Sequence, residues 1–205
     1  MKVLLINGSP HAAGCTYTAL SEVEKELNSA EIETEIIGVG HLDIRGCIGC
    51  GHCYSHGRCV FDDIVNEVAE KFEAADGLVI GSPVYYASAN GTLISFLDRL
   101  FYSSHFDKTM KVGASVVSAR RGGNSATFDE LNKYFTISSM PVVSSQYWNC
   151  VHGNNADEVR RDEEGMQIMR TLGRNMAFLL RSIALGREQF GLPEKERRVS
   201  TNFIR

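Results

Sequence analysis

The sequence MKVLLINGSPHAAGCTYTAL (residues 1–20) decides the fold. A short apolar run, Val3-Leu4-Leu5-Ile6, passes directly into a loop that carries glycines and then into a helical pattern. A continuous apolar run of this length is typical of a strand buried on both faces of a sheet. We therefore expect a buried first strand here and not a signal peptide, which places the protein in the cytoplasm.

The alternation of strand and helix continues along the chain. Apolar runs predict the remaining strands at 33–37, 78–80, 112–117 and 141–143. Helical patterns predict helices at about 15–29, 62–74, 91–103, 125–136 and 155–185. This order predicts an α/β fold with a parallel sheet covered on both faces. Five strands fit a doubly wound sheet of the flavodoxin-like order 2-1-3-4-5.

The composition predicts a single domain over residues 1–205. The chain is 43% hydrophobic with a net charge of -4, and no proline- or serine-rich stretch divides it. No apolar run approaches the ~20 residues of a membrane helix, and no basic region is suited to nucleic acid. We therefore expect neither a membrane nor a nucleic acid as partner. The tail at 191–205 either frays or packs on its own sheet or on a neighbouring chain.

A cysteine-rich loop at 46–60 contains the motif Cys47-x2-Cys50-x2-Cys53-x5-Cys59. Disulfides are rare in a reducing cytosol, and interleaved glycines allow the backbone to turn several sulfurs toward one centre. The spacing is typical of compact iron-sulfur ligation, but four thiolates also suit zinc, and free or redox-active thiols have the same sequence. All three interpretations remain open at this point.

Three loops follow the carboxyl ends of strands, where open α/β sheets bind their ligands. After the first strand, the hydroxyls of Ser9 and Thr16 and the start of a helix can surround a phosphate. The loop is neither a Walker loop nor a dinucleotide fingerprint, which favours a monophosphate. The alternative is that both hydroxyls only cap the helix.

The other two loops predict a site for a planar ring. After the third strand, Tyr85 and Tyr86 follow a proline and can form a flat wall, although tyrosines at strand ends are often core residues. After the fourth strand, Arg120 and Arg121 are suited to a reduced flavin or a nicotinamide dinucleotide phosphate. The alternative for them is a solvated surface pair.

Taken together, these motifs resemble the flavodoxin-like NAD(P)H-dependent FMN reductases and, through the four cysteines, the iron-sulfur flavoproteins. The resemblance covers nearly the whole chain, and its matching stretches are Gly8-Ser9-Pro10 with Gly14 and Thr16, Cys47 to Cys59 with Asp62-Asp63, Gly81 to Tyr85 with Phe96 to Arg99, Arg120 to Gly123, Tyr147 to Asn149 with His152-Gly153, and Thr201 to Arg205. The resemblance also favours a homodimer or homotetramer.

The resemblance implies FMN as the cofactor. Around its phosphate it implies Ser9, His11, Gly14, Cys15 and Thr16, and around its ring Pro83, Val84, Tyr85, Tyr86, Ser88, Ser118, Arg120, Arg121 and Gly122. For a [4Fe-4S] cluster it implies Cys47, Cys50, Cys53 and Cys59 as ligands. His11 stands where relatives tend to carry Lys or Arg, and Cys15 where they tend to carry Asn, so two contacts to phosphate differ from that pattern.

We therefore predict an enzyme that passes electrons from NAD(P)H through FMN to a flavin, a quinone or another small-molecule or protein acceptor. The flavin carries the chemistry, so no side chain is predicted to be catalytic. The first rival is an iron-sulfur flavoprotein that carries electrons between protein partners. The second is a thiol-based redox sensor. Trp148 either fills the core or stacks on a bound ring.

Overall fold

The computed structural model describes residues 1–197, 199–201 and 203. One sheet has the order β2-β1-β3-β4-β5, and every neighbouring pair of strands is parallel. The predicted α/β fold and strand order are confirmed. The strands are β1 (Lys2–Asn7), β2 (Glu33–Gly38), β3 (Gly77–Pro83), β4 (Val112–Ala119) and β5 (Cys150–His152).

Helices cover both faces of this sheet. They are α1 (Cys15–Ser29), α2 (His52–His56), α3 (Ile64–Ala74), α4 (Gly91–Ser103), α5 (Asn124–Thr136), α6 (Ala156–Arg161) and α7 (Glu163–Phe190). The side chains of β1 show how the helices form one layer on each face of the sheet. Val3 and Leu5 pack toward α1 and α7, whereas Leu4 and Ile6 pack toward α3 and α4. Side chains alternate across a strand, so a strand buried on both faces is apolar throughout.

The prediction of a fifth strand at 141–143 is wrong. That segment makes a single bridge, between Val142 and Gly113, near the start of β4. Residues 144–149 then leave the sheet, and the chain returns as β5 beside Val117–Ala119. Pro141 cannot donate a backbone hydrogen bond, so only its carbonyl bonds to the ladder, accepting from the Gly113 N–H at 2.8 Å.

The prediction of one helix at 155–185 is also wrong. The segment is divided at Asp162, whose φ and ψ of -74° and 81° are not helical. The Asp162 carboxylate accepts hydrogen bonds from the N–H groups of Gly165 at 3.0 Å and His152 at 2.7 Å. It therefore caps α7 and ties that helix to the end of β5.

The tail at 191–205 contains no helix or strand within its described residues, and Val199 and Phe203 are exposed. Lys195 forms an ion pair with Asp107. Residues 198, 202, 204 and 205 of the predicted tail lie outside the described residues. Across the described part of the chain, no helix combines the length and apolar character needed to cross a bilayer.

Candidate functional site

The three predicted loops meet at the carboxyl edge of the sheet. The Gly8 N–H donates to the Gly81 carbonyl at 2.8 Å, which joins the loop after β1 to the end of β3. The Val84 N–H donates to the Ser118 carbonyl at 2.9 Å, which joins the loop after β3 to the end of β4. The edge is therefore one connected surface, located where open α/β sheets place their ligands.

The loop after β1 carries the buried hydroxyl of Ser9. Ser9 is buried, and its oxygen accepts a hydrogen bond from the His11 N–H at 3.2 Å. The Ser9 hydroxyl proton is not used in that bond and remains able to donate to an anion. His11 itself is exposed at the mouth of the loop.

Thr16 connects this loop to β4. Its hydroxyl lies 2.8 Å from that of Ser118, and the two residues are only 1% and 4% exposed. One hydroxyl of such a pair donates to the other, so one proton is left to donate to a third group. The pair is therefore suited to hold a phosphate oxygen at the start of α1.

The N-terminus of α1 has no side-chain cap. Its N-cap is Gly14, no described side chain bonds to its first backbone N–H groups, and its first turn contains no acidic residue. Ser9 and Thr16 therefore do not act as helix caps. The Cys15 thiol points to the Gly153 carbonyl at 3.5 Å, and burial raises the pKa of that thiol. Free backbone N–H groups and the helix dipole favour an anion at this position.

The tyrosines after β3 are exposed and are not part of the core. Tyr85 and Ser88 close a tight turn through two backbone hydrogen bonds of 2.9 and 3.1 Å. The two central residues, Tyr86 and Ala87, have positive φ values of 52° and 58°, which residues other than glycine rarely adopt. Glu130 holds the turn by accepting from the Ser88 hydroxyl and the Ala89 N–H. The structure thus keeps an aromatic turn at the edge of the site.

The loop after β4 packs closely against this turn at Gly123. Gly123 has a φ of 91°, and a Cβ atom there would lie 2.9 Å from both Ala87 Cα and Val84 Cγ1. Only glycine satisfies both conditions without strain. Arg120 and Arg121 precede it and are exposed, with no ion pair to either among the described residues.

Sequence reasoning missed Asn90, which unites the site. Its side-chain N–H donates to the Gly8 carbonyl at 2.7 Å, and its oxygen caps α4 at the Thr92 N–H. The Asn90 N–H in turn donates to the buried Ser82 hydroxyl at 3.0 Å. An asparagine directly before an apolar helical pattern was the available signal for a helix cap.

The four predicted metal ligands line one cavity on the side of α4. Cys47 and Cys50 are exposed, Cys59 is half-buried and Cys53 is buried, and all four are free thiols. The short helix α2 lies within this loop between two glycines in the left-handed region, at φ values of 71° and 68°. The cavity wall is completed by residues of α4, namely Arg99, Tyr102 and Ser103.

The four cysteines of the loop line a cavity, but their side chains do not converge on one position. Among the described residues, no three side chains of His, Cys, Asp or Glu are grouped so that they could hold a metal ion. The four sulfurs therefore line one cavity without being grouped into a coordination sphere.

Arg99 fixes one end of this loop and was not predicted as a site residue. It is 1% exposed, and its guanidinium binds both carboxylate oxygens of Asp63 at 2.7 and 2.8 Å. Its Nε–H donates to Cys59 Sγ at 3.2 Å. Burial opposes the charge, but the hydrogen bonds to Asp63 and Cys59 outweigh it and raise the pKa of Arg99. Asn66 adds bonds to both the N–H and the carbonyl of Cys59.

The remaining histidines and the tryptophan lie at the surface. His52 and His56 stack with ring centroids 3.9 Å apart on α2, where His52 is half-buried and His56 is exposed. The His152 ring bonds to Asn124 at 2.9 Å. Trp148 is 53% exposed, so the prediction that it fills the core is wrong.

The sequence matches a family model described as NADPH-dependent FMN reductase over residues 1–155. It is 32% identical over 191 residues to an iron-sulfur flavoprotein of Methanocaldococcus jannaschii, covering 89% of this chain and 99% of the relative. It is 31% identical over 197 residues to an iron-sulfur flavoprotein of Methanosarcina thermophila, covering 92% of this chain and 100% of the relative.

Two solved structures have the same fold. The structure of RosB with a bound formylated riboflavin phosphate superimposes with a TM-score of 0.69 at 16% identity, covering 100% of this chain and 94% of the other. An archaeal flavodoxin superimposes with a TM-score of 0.61 at 14% identity, covering 88% and 99%. With the family model and the two relatives, these findings show that the chain is a flavodoxin-like, flavin-dependent oxidoreductase that belongs to the family of NADPH-dependent FMN reductases and iron-sulfur flavoproteins.

Proposed function

We propose that this protein holds two redox centres, FMN at the carboxyl edge of the sheet and a [4Fe-4S] cluster in the cysteine cavity, and that it passes electrons between NAD(P)H and an acceptor. The observation that carries the proposal is the convergence of Cys47, Cys50, Cys53 and Cys59 on one cavity.

The residues at the sheet edge fit FMN. The Thr16–Ser118 pair, the Ser9 hydroxyl and the uncapped start of α1 supply donors for one phosphate. The exposed turn at Tyr85 and Tyr86 supplies an aromatic wall for a planar ring. When bound, FMN exchanges two electrons with a nicotinamide and single electrons with a cluster.

The cysteine cavity fits a cluster. The exposed Cys47 and Cys50 and the more buried Cys53 and Cys59 would provide one thiolate to each iron. Arg99 donates to the Cys59 sulfur, and a donor of this kind orients a ligand and stabilises its negative charge. The two relatives named iron-sulfur flavoproteins support the same assignment.

Two observations support NAD(P)H as the electron donor: the match to the family model, and the positions of Arg120 and Arg121. Both guanidiniums are exposed beside the aromatic turn, where they can bind the phosphates of a dinucleotide. Stopped-flow mixing with NADPH and NADH should bleach the flavin absorbance. A protein that reacts with neither would instead act as an electron carrier between proteins, which is the second candidate function that the four-cysteine cavity favours.

A matched pair of cysteine variants tests the two-centre proposal. We expect Cys59→Ala, reconstituted anaerobically, to lose most of its iron and sulfide while keeping FMN, because the phosphate donors lie on a different loop. Cys150→Ala removes a buried thiol of β5 that does not line the cavity, and it should keep both centres. Equal iron in the two variants would contradict the cluster assignment.

A further inference from the structure

Ser103, the last residue of α4, carries a buried hydroxyl without a hydrogen-bond partner among the described residues. The residue is 3% exposed, and it lines the cavity that the four cysteines share. Buried hydroxyl groups in proteins are nearly always bonded, and leaving one unpaired costs free energy. The position of Ser103 therefore points to a partner outside the described part of the polypeptide.

Arg99 lies one helical turn before Ser103 and faces the same cavity. Residues four apart stand on one face of a helix, so α4 presents two donors along the wall, the Arg99 Nε–H and the Ser103 O–H. The Arg99 donor already reaches Cys59 Sγ. Tyr102, between them, uses its hydroxyl in a bond to the Tyr54 hydroxyl at the surface.

We propose that Ser103 donates a hydrogen bond to a sulfur of the iron-sulfur centre in the cysteine cavity, and that this bond raises the reduction potential of that centre. The inference rests on the proposed function, because it needs a cluster. Reduction places an extra electron on the cluster and increases the negative charge on its sulfurs. A fixed donor therefore stabilises the reduced form more than the oxidised form.

A groove beside the cavity offers a competing partner. Ser103 also lines this groove, together with Gly57, Asn66 and His105, and solvent there could accept its hydroxyl proton. The two partners predict different consequences. A bond to the cluster changes the reduction potential, whereas a bond to solvent leaves it unchanged.

A substitution at Ser103 tests the proposed hydrogen bond better than a substitution at Arg99 does. Replacing Arg99 would leave the Asp63 carboxylate without its partner and would also release the Arg45 carbonyl, to which Arg99 donates at 3.1 Å. Ser103→Ala removes one oxygen and breaks no hydrogen bond within the described part of the chain. Ser21→Ala is the matched control, since the Ser21 hydroxyl is also buried and has no partner among those residues, but lies on α1.

The experiment is an anaerobic redox titration of reconstituted protein, with iron, sulfide and FMN counted in each sample. We expect Ser103→Ala to shift the one-electron equilibrium of the cluster about three- to tenfold toward the oxidised form, tenfold corresponding to about 59 mV. Ser21→Ala should have the reduction potential of the wild type. Ser103→Thr keeps a hydroxyl, so its potential should lie close to that of the wild type. Loss of the cluster from Ser103→Ala alone, with FMN retained, would also support the contact.

Two results would overturn the proposal, and they are distinguishable. A fully loaded Ser103→Ala protein with the wild-type potential would show that the hydroxyl does not bond to the cluster, and the two-centre function would stand. Wild-type protein that takes up no iron after anaerobic reconstitution would overturn both the cluster and the role of Ser103.

Discussion

Replacing Thr16 by Val tests the phosphate site with an almost isosteric change. The Thr16 hydroxyl is buried 2.8 Å from that of Ser118, and we expect the pair to give one hydrogen bond to the FMN phosphate. A hydrogen bond to a charged group contributes about 1.5–3 kcal/mol, so the FMN Kd should rise roughly 10- to 150-fold. The FMN-free fold should lose about 0.5–1.5 kcal/mol, because Ser118 loses its buried partner.

The control for Thr16→Val lies two residues further along α1. The Thr18 hydroxyl is also buried, but it donates to the Gly14 carbonyl at 3.0 Å and does not face the loop after β4. Thr18→Val should therefore destabilise the fold similarly and change the FMN Kd less than about twofold. Isothermal titration with FMN and urea unfolding measure the two effects. Wild-type affinity in Thr16→Val, or an equal loss in Thr18→Val, would refute the assigned role.

Two further predictions concern the shape of the site and the stability of the sheet. In urea unfolding, Gly123→Ala should destabilise the protein by more than about 1 kcal/mol, because Gly123 has a positive φ and lies close to the aromatic turn. Gly122→Ala is the control: a Cβ atom there would meet no described atom within 4 Å, so this variant should have nearly the stability of the wild type. The hydrogen bond from Lys71 lowers the pKa of Glu35 below the ordinary glutamate value of 4.5. The pair therefore stabilises the fold fully at pH values above 4.5, and this stabilisation is lost as the pH falls through the lowered pKa. Lys71→Met should therefore lose less stability than the wild type between about pH 5 and pH 3 in thermal melts, and equal losses would contradict the pairing.

Most of the fold could be predicted because long elements carry continuous patterns. Helices α1 and α4 have the predicted bounds, since an apolar face of four turns gives a clear period and a glycine or asparagine precedes each. β5 has only three residues, Cys150–His152, which is too short for any period. The break at Asp162 depends on a hydrogen bond from the His152 N–H, and a pattern along one helix does not contain it.

The candidate site could be predicted at the level of loops, but not of their contacts. The residue types predicted a phosphate near Ser9 and Thr16, whereas the Thr16–Ser118 bond joins residues 102 positions apart and could not be predicted. Arg99 was missed for the same reason, since its partner Asp63 lies 36 positions away. The available signal was a cation within the apolar pattern of α4, because a buried cation needs a partner.

The most direct test of the account is the cofactor content of wild-type protein isolated and reconstituted without oxygen. We expect FMN, identified after release by denaturation, together with about four iron and four sulfide per chain, as four thiolates around one [4Fe-4S] cluster require. FMN without iron would contradict the two-centre proposal and leave a plain flavin oxidoreductase. Release of FAD, or the absence of any flavin affinity, would contradict the phosphate site built on Ser9, Thr16 and Ser118.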